Sequence, residues 1–155
     1  MPMLRRNIDP LTEDQIRWAP GPGRNPIRWQ IWHIAEVEDN WVRTTMLGQQ
    51  PRFPLGVPLA EDAGGPEPTK ADLLEYLRQV RALTRDRLGA IGAGEFDRSI
   101  DEPDFGSMTI RDLWAGVVTS FAWHAGQIAL TAKLLPDTPV RTWTFTPWTS
   151  PRRTR

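Results

Sequence analysis

The chain has 155 residues, the size of one ordinary domain and long enough to bury a core without disulfide or metal staples. Nineteen basic residues balance nineteen acidic ones, so the positive field behind most nucleic-acid binding is missing, and with no cysteine there is no disulfide framework, thiolate zinc site or cysteine nucleophile. No run approaches ~18 apolar residues, and the opening MPMLRRNIDPLTEDQ lacks the apolar centre of a secretory signal. A soluble cytoplasmic protein with neither a membrane nor a nucleic acid as partner is therefore expected.

Three segments carry helical periodicity. The first opens at RNPIRWQIWHIAEVEDNWVRTTML, where Asn25 reads as an N-cap, Pro26 as the first helical residue, and Ile27, Ile31, Ile34, Trp41 and Val42 as an inward stripe ending near Gly48. The second, TKADLLEYLRQVRALTRDRLGAIG, has Thr69 and Asp72 spaced as a capping box, with Leu73, Leu77, Val80 and Leu88 recurring inward. Thr109 and Asp112 repeat the cap before the third, in which Ile110, Trp114, Val117, Phe121, Ile128, Ala132 and Leu135 form the stripe and Pro136 the stop.

Two long connections, GQQPRFPLGVPLAEDAGGPEP and AGEFDRSIDEPDFGS, separate these helices, and connections of that length are functional or mobile more often than passive. After Pro136 comes a tail with a brief alternation at Thr142 to Thr146, readable as an extended edge or as Trp143 and Phe145 packed on the bundle. The expected organisation is one domain over residues 1–140 and a tail over 141–155.

Both histidines fall on helices. At ~100° per residue His124 lies roughly 40° from the middle of the third helix's apolar stripe, and Ser120, Gln127 and Thr131 share its side as a polar seam. Buried polar groups need partners, so a histidine satisfied within a helix interface is the plainer account and a working site the sharper one. His33 falls on the shoulder of the first helix's stripe, near Trp29, Val37, Asn40 and Thr44. If the two flanks face each other, two neutral imidazoles meet over tryptophan and make a partial metal site that still needs a third ligand. Glu36, three residues after His33, is the local candidate, although an acidic residue on a helix flank is usually just solvated.

Two blocks, LTEDQIRWAPGPGRNPIRWQIWHIAEVEDNW and SFAWHAGQIAL, resemble the DinB-like superfamily in order and spacing over roughly residues 11 to 135. That superfamily comprises metal-binding bundles, among them YfiT-type proteins and thiol-dependent transferases and isomerases. The resemblance implies an all-α four-helix bundle, here with a short or missing first helix and long inter-helix loops. It also implies a divalent zinc or nickel ion held by three histidines, of which His33 is similar to the first and His124 to the third. The second falls one turn before His124, where this sequence has Ser120, a poor ligand beside imidazole. HAGQ replaces the family's His-Arg-Gly-Gln; Gly126 would still permit close helix approach and Gln127 would still bond inward.

Two functions follow from the resemblance. One is a divalent-metal-dependent transferase or hydrolase, using a low-molecular-weight thiol, in which Trp29 and Gln127 contact cofactor or substrate and the metal site is weakened at Ser120 or completed by Glu36. The other is a non-catalytic binding or stress-associated bundle that has lost its metal. A shortened first helix would expose an apolar groove for a second copy, hence a homodimer. No nucleophile elbow surrounds any serine.

Overall fold

The computed structural model describes residues 2–56, 67–103 and 105–136. Among these, five α-helices are joined in the order α1 (Pro2–Ile8), α2 (Glu13–Arg17), α3 (Ile27–Asp39), α4 (Lys70–Ala90) and α5 (Ile110–Leu134). A π-helical segment, Asn40–Met46, continues α3 without a break, and a short 3₁₀ turn, Ala93–Asp97, precedes a hairpin of β1 (Ser99–Glu102) and β2 (Gly106–Thr109). The bundle is therefore all-α in substance, and its first helix is present but short.

Capping sets the helix starts. Thr12, Thr69 and Thr109 each accept the backbone N–H three residues on, while Gln15, Asp72 and Asp112 accept the cap's own N–H in return. These reciprocal bonds satisfy donors that the first turn leaves orphaned. α3 differs from expectation: Pro26, not Asn25, is the N-cap, the helix begins at Ile27, and no side chain caps it. Gln30 instead turns its amide back to the Asn25 carbonyl at 3.1 Å. Just past the π segment and its C-cap Leu47 stands Gly48, whose φ of +64° is a left-handed conformation that glycine adopts at least cost.

Two apolar clusters make the core. The larger joins Leu4 and Ile8 of α1, Ile16 of α2, Ile27, Ile31 and Ile34 of α3, Leu73, Leu77 and Val80 of α4, and Ile128, Ala132 and Leu135 at the end of α5. The smaller joins Val42 and Met46 of the π segment to Ile100 of the hairpin and to Ile110, Leu113, Trp114 and Val117 at the start of α5. The two histidines belong to the seam where α3 crosses α5.

Three further expectations need correction. Leu88 is 46% exposed: it lies one turn beyond Thr84 on the same face, and Thr84 is the last buried residue of α4. The second long connection is not featureless: β1 and β2 pair antiparallel with Ser99 opposite Thr109 and Glu102 opposite Gly106. Strands of Ser-Ile-Asp-Glu and Gly-Ser-Met-Thr lack the β-branched alternation that reveals a hairpin in sequence. Gly126 supports no close approach, since a Cβ built there meets nothing within 4 Å; Gly116 is the close glycine, where a Cβ would stand 3.3 Å from the Trp41 ring. The middle of the first connection, the Thr142–Thr146 alternation and the proposed domain boundary at 140 lie outside the described residues.

Candidate functional site

α3 and α5 bring the sequence-predicted histidines together. The rings of His33 and His124 sit 4.9 Å apart, centroid to centroid, at 75°. Trp29, one turn before His33, stacks on it at 4.5 Å and 14°, and meets His124 edge-on at 6.5 Å. This is the i, i+4 geometry that puts side chains on one face of a helix. Gln127 accepts from His124 at 3.0 Å between its Oε1 and the ring's Nδ1. Because a carbonyl oxygen only accepts, Nδ1 carries the proton and Nε2 keeps its lone pair.

Both imidazoles are half-buried, and burial is the main reason each is held below the ordinary histidine pKa. For His33 the charge of His124 adds to the depression, whereas for His124 the Gln127 bond partly opposes it. At neutral pH the pair is uncharged and basic, able to accept a proton, bond a donor or ligate an ion.

The other predicted positions do not all join them. Ser120, one turn before His124, lines a shallow hollow with Val37, Trp41, Val117 and Phe121. Thr131 is buried further along α5. Glu36, about 60° around α3 from His33, is buried toward Tyr76 of α4, where its carboxylate accepts from the Trp32 indole N–H at 3.3 Å. Burial pushes the Glu36 pKa up to about 7, and neighbouring Asp39 adds to the rise against the opposing Trp32 and Tyr76 bonds and the Arg52 charge. Among the described residues no three His, Asp, Glu or Cys side chains gather in a way that could hold an ion. The donor set thus does not fit a three-imidazole metal group: two imidazoles are in place and the position of the third is a hydroxyl.

Behind the site lies a polar network that the periodicity did not reveal. Asp39, 2% exposed, accepts from Arg43 at 3.2 Å, from Arg52 at 3.0 Å and from the Tyr76 hydroxyl at 3.3 Å. Glu38, 3% exposed, pairs with Arg81 at 3.0 Å and accepts from Thr84 at 2.5 Å. The Arg81 guanidinium lies 3.8 Å from the centre of the Phe121 ring, which ties α4 to α5 beside Ser120. The available signal was the run Glu36-Val37-Glu38-Asp39 inside an otherwise apolar helix, since carboxylates there must be paired.

The comparisons with known proteins bear on the fold and the family. No curated protein matches the chain. A crystal structure of a conserved protein from Enterococcus faecalis superposes with a TM-score of 0.71 over 86% of this chain and 89% of that one, at 19% identity, a likeness of fold alone. The described helices carry no stretch long and apolar enough to cross a membrane. The profile of the DinB superfamily matches residues 2–128, and the chain belongs to that superfamily.

Proposed function

We propose that this chain is a DinB-type binding bundle whose site, reduced to two neutral imidazoles against a tryptophan face, takes a small-molecule ligand and holds transition metal at best weakly. The observation that carries the reading is the donor set: His33 and His124 face each other at 4.9 Å, Ser120 occupies the turn before His124, and Glu36 is committed to Trp32. Two imidazoles and a neutral hydroxyl give zinc or nickel much less than three imidazoles do, because an alcohol is a weak donor unless deprotonated.

Titration of zinc and nickel into untagged protein, followed by calorimetry, tests it. Weak binding is expected for the parent, with Ser120→His raising the affinity by about 100-fold or more, as a restored ligand should. A stoichiometric ion that survives dialysis in the parent would overturn the reading, as would a Ser120→His variant that folds normally and gains nothing.

One contact favours a second reading, a divalent-metal-dependent transferase or hydrolase using a low-molecular-weight thiol. The bond from His124 Nδ1 to Gln127 fixes the tautomer with Nε2 unprotonated, which is how ligand histidines are usually oriented. That reading requires a retained ion in the parent, so the same titration separates the two.

A further inference from the structure

About two turns along α5 from the histidine pair, a second opening is built almost wholly of apolar side chains. Trp41, Phe105, Met108, Leu113 and Gly116 line it, with Asp112 among them, and this half-open groove has a volume of about 180 Å³. An apolar cavity of roughly 150 Å³ is enough to hold a benzene ring. The Asp112 carboxylate is already engaged by the backbone N–H and the hydroxyl of Thr109, at 3.0 and 2.6 Å, so it offers little to a charged ligand.

Two features of the chain shape this opening. Trp41 sits in the π-helical segment Asn40–Met46, where the register change redirects side chains relative to α3, and π turns recur at functional positions. Its ring comes so close to α5 that a Cβ at Gly116 would stand 3.3 Å from it, so glycine at 116 is what lets the indole form a wall. Across the opening, Phe105 meets Trp41 edge to face, with centroids 6.2 Å apart at 67°. Phe105 is 64% exposed, an unusual state for a phenylalanine that has an aromatic neighbour available to cover it.

We propose that this groove is a binding site, separate from the histidine pair, for a neutral single-ring aromatic group. An inserted ring lies against the Trp41–Phe105 pair and the Met108 thioether, contacts that favour an aromatic over an aliphatic group of the same size. Among the described residues that line it there is no cation, which disfavours carboxylates and phosphates as the inserted part. Trp41 also lines the hollow that contains Ser120, so the groove and that hollow share one wall.

Benzyl alcohol, titrated while the indole N–H and methionine methyl NMR resonances are followed, tests the proposal, with cyclohexylmethanol as the aliphatic control. Trp41 is identified by the signal lost in Trp41→Phe. Saturable shifts are expected at Trp41 and Met108, with a dissociation constant on the order of 1 mM, and weaker binding of the control. Phe105→Ser, an exposed change that leaves the core intact, should weaken benzyl alcohol by about fivefold or more. Shifts spread without saturation over all the tryptophans, equal binding of the two alcohols, first response at His33 and His124, or no effect of Phe105→Ser would each overturn the proposal.

Discussion

Replacing Glu36 by glutamine gives the most direct test of how α3 is balanced. The buried carboxyl has its pKa pushed up to about 7 against an ordinary 4.5, so between those values the folded chain binds more protons than the unfolded one. Stability contributed by this group is therefore full below pH 4.5 and falls as the pH rises through 7. At 1.36 kcal/mol per pKa unit, ionising Glu36 costs the fold about 3 kcal/mol at pH 8 and under about 1 kcal/mol at pH 5. Glutamine keeps an acceptor for the Trp32 indole and removes the charge beside Asp39. Glu36→Gln should then gain about 2 to 3 kcal/mol over the parent at pH 8, or roughly 5 to 10 °C in Tm for a chain of this length, and much less at pH 5. Thermal and urea unfolding of both proteins at the two pH values measure it. An equal difference at pH 5 and pH 8, or a variant that is less stable at pH 8, would refute the reasoning.

Asp39→Asn strips charge from a buried acceptor held by Arg43, Arg52 and Tyr76, and should cost about 3 kcal/mol in urea unfolding at pH 7; a loss under about 1 kcal/mol would show that solvent compensates the two arginines. Trp29→Ala removes the ring that stacks on His33, so NMR titration should show the His33 pKa rising toward the ordinary histidine value, and an unchanged or lower value would mean that burial by other groups sets it. Both imidazoles titrate below their ordinary range in the fold, so their contribution to stability is full above about pH 6.5 and is lost as the pH falls through the depressed values. His124→Gln should flatten that acid limb of the stability curve, read by the same unfolding assay.

The helices and the histidine pair were legible in the sequence because each left a local signal. Thr69 with Asp72 and Thr109 with Asp112 announced two helix starts that the structure keeps, and the wheel put His124 inside its stripe and His33 on the shoulder of its own, leaving it to the packing of α3 on α5 to make those flanks face each other. Asn25 misled because a good capping residue beside a proline is also compatible with a cap one residue later. What stayed hidden depends on contacts distant in sequence. Arg81 above Phe121 and Thr84 on Glu38 join residues 40 and 46 positions apart, and no periodicity encodes which partner a buried carboxylate will find. The importance of Gly116 was equally invisible, since it arises only where the π segment brings Trp41 against α5.

The two faces of α3 bear on whether Glu36 can complete a metal site. His33 and Glu36 are three residues apart, about 60° around the helix, yet His33 meets α5 while Glu36 bonds Trp32 and faces Tyr76 on α4. To reach an ion at the imidazoles the carboxylate would have to leave the indole and strip the proton that burial favours at neutral pH, offsetting part of whatever the new bond contributes. Metal affinity of the parent and of Glu36→Gln should therefore agree within about threefold, whereas removing a true ligand, or even a group supporting one, costs 10-fold or more, roughly the usual range. A fall of that size in Glu36→Gln, with the fold intact, would show that α3 turns its carboxylate toward the histidines when an ion is present and that the separation of its two faces is conditional on the metal.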